Sequence, residues 1–71
     1  MSIKINLPGA KKDVEMREPK VKDMRAVSTE ENQEEKEIKL ISNLTGMSIV
    51  EIDDLSLKDY ALLAKGLSGF L

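Results

Sequence analysis

The feature that most constrains this chain is the punctuation of its C-terminal half. Thr45-Gly46 stops a helix, and Ser48-Ile49-Val50-Glu51 starts another at once. A second restart, Ser56-Leu57-Lys58-Asp59, leads into Tyr60 and an apolar run that reaches Gly69-Phe70-Leu71. Glycine suits the left-handed position after a last helical turn because it has no Cβ to clash there. In Ser48-x-x-Glu51 the hydroxyl and the carboxylate each satisfy a backbone amide that the first helical turn leaves unpaired. Ser56-x-x-Asp59 repeats the signal in weaker form, with Asp in place of the usual Glu or Gln. Between them, Ile49, Ile52 and Leu55 are expected to face inward from a short helical turn.

The helices on either side follow from apolar spacing. Ile38, Leu40, Ile41 and Leu44 recur at helical intervals before Gly46, and Ser28 or Thr29 is the expected cap of that helix. Glu30, Glu31, Glu34 and Glu35 crowd its start, where the helix dipole favours negative charge. The last helix is expected over about Leu57 to Leu67, with Leu57, Tyr60, Ala61, Ala64, Leu67 and Leu71 as its inward stripe, widened by Leu63 and Phe70. Gly69 is the expected terminator. Upstream, Pro19 is expected to open a first helix, since proline's missing N–H is no loss at the first helical position. Val21 and Met24 give that helix an apolar stripe among Lys20, Lys22 and Arg25.

The N-terminus reads differently. Ile3, Ile5 and Leu7 alternate with polar residues, and so do Val14 and Met16, a period of two that marks half-buried strands. Pro8-Gly9 supplies turn chemistry between them. The fold class expected is therefore α+β and predominantly helical: a short N-terminal β-hairpin, three helices and a short helical turn. The division expected is one small domain over 1–71, with the strand pair at 3–17 and the helical part at 18–71.

Seventy-one residues bury only a thin core, worth about 3–5 kcal/mol unless something staples it. With no Cys and no His, the chain lacks disulfides, thiolate metal sites and the commonest general base. Asp53-Asp54 is the closest pair of carboxylates, and it reads as a solvated helix end. Glu51, Asp53, Asp54 and Asp59 do not have the spacing of a calcium loop. No catalytic residue, metal or cofactor is expected. No apolar run approaches the roughly 18 residues of a membrane span, and Met1 to Asn6 lacks the apolar core of a signal peptide, so a cytoplasmic protein is expected.

Charge is unevenly spread. Residues 1–27 carry seven basic and four acidic side chains, a net of +3, while residues 28–71 carry four and nine, a net of -5. Such asymmetry can orient docking or head-to-tail self-association.

Several of these residues together resemble a known family. Arg17-Glu18-Pro19-Lys20-x-x-Asp23, then Glu37 and Leu40-Ile41-Ser42-Asn43-Leu44-Thr45-Gly46, then Ile52-Asp53-x-Leu55-x-x-x-Asp59-Tyr60 and Gly69-Phe70-Leu71 are similar to the small tail assembly chaperones of contractile-tailed bacteriophages, the E-type of P2-like and Mu-like phages. The likeness covers about residues 3–71. Met16 stands where a leucine is usual, and the loop between the strands is short for the family. The resemblance implies a non-enzymatic factor in the host cytoplasm. It would bind the tape measure protein, the long helical ruler of the tail, and keep it soluble until tube subunits polymerise around it. It also implies self-association, and in many such systems a frameshifted longer product. The residues expected to meet a client or a second copy are Leu63, Leu67, Phe70 and Leu71.

Two other readings fit the same residues. The stop at Thr45-Gly46 followed by two helices mimics the punctuation of a helix-turn-helix DNA-binding regulator. Its candidate recognition segment, Glu51 to Asp59, places four carboxylates where phosphates would sit, which argues against nucleic acid. A homo-oligomeric adaptor with another client is the third reading.

Overall fold

The structure, a computed structural model, describes residues 1–70. Two strands, β1 (Ser2–Leu7) and β2 (Lys12–Arg17), precede four helices: α1 (Val21–Ala26), α2 (Gln33–Thr45), α3 (Ile49–Asp53) and α4 (Leu57–Ser68). The α+β class and the order of elements agree with the sequence reading.

The strands pair antiparallel, with Ile3 opposite Met16 and Ile5 opposite Val14. This register puts every apolar side chain of the hairpin on one face. Ile5, Leu7, Val14 and Met16 are buried there, while Lys4, Asn6, Asp13 and Glu15 look outward. The apolar face lies across the helices, β1 against α4 and β2 against α2. The core continues through Ile41, Leu44, Met47, Ile52, Leu63 and Leu67.

Local capping chemistry sets most helix ends. Gly46 ends α2 in the left-handed conformation, φ 78°. Ser48 caps α3 with its hydroxyl accepting from the Glu51 amide at 3.1 Å, and the Glu51 carboxylate accepts from the Ser48 amide at 3.2 Å. The Ser56 hydroxyl accepts from the Asp59 amide at 3.2 Å at the start of α4.

The structure corrects several expectations. Pro19 does not open α1; Lys20 is its extended N-cap, and the Asp23 carboxylate accepts from the Lys20 amide at 2.8 Å. The stripe of Val21 and Met24 faces away from the core, 76% and 67% exposed, because the residue that α1 buries is Asp23. Asn32, not Ser28 or Thr29, caps α2 through the Glu35 amide. The Ser28 hydroxyl is turned back instead, donating to the Arg25 carbonyl at 2.8 Å. Ile49 is exposed on α3 rather than buried.

In α4 the buried stripe is rotated from the one expected. Leu67 faces inward as expected, but Leu63 is central rather than at the stripe's edge and Asp59 joins them, while Leu57 is 88% exposed and Ala61 is exposed too. The helix ends at Ser68 with Gly69 still in right-handed geometry, φ -66°, so Gly69 marks the end without a left-handed cap.

Candidate functional site

The residues that carry the family resemblance are the joints of the fold. Arg17, at the end of β2, donates from both terminal nitrogens to the Asp23 carboxylate, at 2.8 and 2.6 Å. One of those nitrogens also reaches the Asn43 carbonyl near the end of α2, at 3.4 Å. Asp23 is 4% exposed, so this fork, with the Lys20 amide, holds a buried carboxylate from three donors. The Arg17 guanidinium first, and the Lys20 amide after it, hold the Asp23 carboxyl at a pKa of about 2, well below its ordinary 3.8. Glu18 is exposed, Pro19 is half-buried, and Lys20 supplies the backbone cap.

Leu44 is core, and Thr45 straps the turn after α2. The Thr45 hydroxyl donates to the Ile41 carbonyl at 2.8 Å and accepts from the Met47 amide at 3.2 Å. Asp59, 1% exposed, accepts from the Gly9 amide at 3.2 Å and the Ala10 amide at 2.9 Å, so α4 holds the tip of the hairpin. The Tyr60 phenol donates to Glu37 at 2.5 Å, joining α4 to α2. Burial, and then the Glu37 carboxylate, push that phenol above its ordinary range.

The four residues expected to meet a partner are not one surface. Leu63 and Leu67 are 0% and 6% exposed, and they pack in the core beneath the hairpin. That burial removes them from any face offered to another molecule in this fold. Phe70 is half-buried at the rim, and Leu71 lies outside the described residues.

What Phe70 borders is an open apolar groove of about 690 Å³ between β1 and the second half of α4. Ile3, Ile5, Leu62 and Phe70 form its apolar walls, Gly66 lies along it, and Lys4 and Lys65 stand on its rim. Gly66 has a steric reason to be there: a Cβ at that position would lie 2.5 Å from the Ile5 Cδ1. The glycine lets the strand sit close to the helix.

The groove runs beside a free backbone edge. The sheet has only the two strands among the described residues, so β1 has one unpaired side. The Glu18 amide donates to the Met1 carbonyl at 2.8 Å. Alternation along an antiparallel pair then turns the amides and carbonyls of Ser2, Lys4 and Asn6 toward that side. An apolar trough with cations on its rim and an open strand edge beside it can receive a segment of another chain, either as a helix or as a strand.

Sequence reasoning missed Ile3, Ile5, Leu62 and Lys65 as parts of this groove. The available signal was the spacing of Leu62, Gly66 and Phe70, one face of α4 next to the stripe that became core. Among the described residues no three His, Cys, Asp or Glu side chains gather as metal ligands, and no helix is long and apolar enough to cross a membrane.

No curated protein and no solved structure matches the chain. A family model does match, over residues 11–71, a span that holds β2 and all four helices; it describes phage tail assembly chaperone proteins, E, or 41 or 14.

Proposed function

The chain belongs to the phage tail assembly chaperones, and on that premise we propose that it binds the tape measure protein in the host cytoplasm and keeps it soluble during tail-tube assembly. The observation that carries this reading beyond the family is the apolar groove between β1 and α4. A long helical client released before its tube exists exposes apolar stripes to water. A groove that covers one stripe removes the surface through which clients would aggregate. The work needs burial and no bond-making, so the protein acts without catalysis. Lys4 and Lys65 on the rim favour a stripe flanked by Asp or Glu, which steers the client and sets its register. Several copies spaced along one client would cover it.

Co-expression with a tape measure protein tests the reading. Leu62→Ala combined with Phe70→Ala, both outside the fully buried core, is expected to move the client from the soluble to the insoluble fraction while the chaperone keeps its circular dichroism spectrum. A client that stays as soluble as with the unaltered chain would overturn the groove as its binding surface.

A further inference from the structure

The groove beside β1 leaves a second pair of surfaces unused. On α1, Val21 and Met24 stand out from the molecule, 76% and 67% exposed, with Lys20, Lys22 and Arg25 also exposed around them. None of these three cations has an anionic partner within ion-pair distance among the described residues. The ridge faces outward because the one residue α1 buries is Asp23, gripped by Arg17.

The complementary surface lies where α2, α3 and α4 meet. There a groove of about 370 Å³ is floored by Ile38, Ile52 and Leu55 and bordered by Leu57 and Tyr60, with Glu34, Glu37 and Asp53 along it. Leu57 at its border is 88% exposed. Glu37 accepts from Tyr60, but Glu34 and Asp53 make no ion pair among the described residues. No residue of α1 lines the groove, so the chain's own basic ridge does not fill it.

We infer that the α1 ridge of one copy docks in the α2–α4 groove of a second copy. Two apolar side chains at i and i+3 fit an apolar trough, and cations around them meet carboxylates along its wall. Burying the apolar pair gives the contact its free energy, and the charges give it orientation. The wrong pairings, ridge on ridge and groove on groove, set like charges against each other.

Because the two surfaces differ, the contact is head-to-tail. Each added copy presents a fresh ridge at one end and a fresh groove at the other, so the geometry builds a ring or an open row. Two side chains on a one-and-a-half-turn helix cover far less than the roughly 800 Å² per partner of a stable interface. The contact is therefore weak between free copies and strengthens when copies lie side by side on one client, where effective concentrations reach the millimolar range. This docking rests on the chaperone reading above and names how neighbouring copies meet. It shares no residue with the groove beside β1, so either can fail alone.

The absence of Cys from the chain allows a direct test without any client. Met24→Cys and Leu57→Cys alter two exposed positions, and each variant is purified and then mixed with the other under mild oxidation at about millimolar concentration, where a weak contact is populated. Mass spectrometry is expected to find the mixed disulfide, one chain of each variant, several-fold above the two like-with-like products. Glu34→Lys with Asp53→Lys on the Leu57→Cys chain is expected to abolish that excess, and Lys22→Glu with Arg25→Glu on the Met24→Cys chain to restore it. A statistical mixture of the three disulfides overturns the inference. So does an excess that survives the charge reversal.

Discussion

Asp59 shows how much one side chain does in a chain this small. It lies in the first turn of α4, sits out of solvent, and takes the Gly9 and Ala10 amides across about fifty residues of sequence. Gly9 is glycine for steric room and not for backbone freedom, since its φ is not positive. A Cβ there would lie 2.7 Å from the Asp59 Oδ2 and 3.2 Å from the Ser56 Oγ. Gly9→Ala therefore forces the carboxylate off its two donors. The expected cost is about 1–3 kcal/mol, the price of leaving buried polar groups unpaired, read as a fall in the urea midpoint at an exposed loop position. Asp23 makes a different prediction. Its carboxyl titrates near 2 in the folded chain against 3.8 ordinarily, so the fold gains from its ionised form above pH 3.8 and loses that gain as pH falls toward 2. The gain is at most about 2 kcal/mol, because Arg17 is partly solvated and screened. Thermal melts from pH 5 to pH 2 should show the stability gap between the native chain and Asp23→Asn close over that window. A gap that stays constant with pH would mean that the Arg17 fork contributes nothing through charge.

Among elements, α4 best separates what sequence can reveal from what it cannot. Its start was legible because capping is local: the Ser56 hydroxyl and the Asp59 amide are three residues apart. The same holds for Ser48 with Glu51 and for the left-handed Gly46. Its rotation was not legible, because Leu57 and Ala61 line up with Leu67 as well as Asp59 and Leu63 do until Asp59 is fixed under the hairpin tip. The start of α1 failed for a similar reason. Proline and glutamate there obey helix-start preferences, but the Arg17–Asp23 fork decides where the turn begins. Asn32 and Ser28 are equally good caps by type, and the choice fell to Asn32 as the Ser28 hydroxyl bonded backward to Arg25. At the site, the sequence singles out Phe70 as a contact residue without the groove it borders, because the strand side of that groove depends on how β1 crosses α4. The rotated stripe is itself testable by truncation. Leu63→Ala is expected to cost about 2–5 kcal/mol, enough to unfold most of the chain, and Leu57→Ala less than about 0.5 kcal/mol. Circular dichroism of the two variants at 25 °C checks this, and similar losses in both would place Leu57 in the core.

On the scale of the whole molecule, the hairpin and the helices depend on one another. A lone two-stranded hairpin is marginal in water, and here its apolar face is covered by α2 and α4 while its tip is held by Asp59. The helices in turn need Ile5, Leu7, Val14 and Met16 to complete their core. Among the described residues the resulting body carries the groove beside β1, the basic ridge of α1 and the acidic groove between α2 and α4 on separate faces. The hydrogen bonds from Gly9 and Ala10 to Asp59 also bear on the order of events during synthesis. A ribosome delivers the hairpin tip about fifty residues before the carboxylate that fastens it. Until α4 emerges, the hairpin tip has no carboxylate to dock on, and the loop to be closed runs from Gly9 to Asp59. Closing a loop of that length costs more entropy than closing a local turn, and contacts so distant in sequence slow folding. The hairpin tip thus stays unfastened while the segments between it and α4 are made, and this joint closes only once α4 is free.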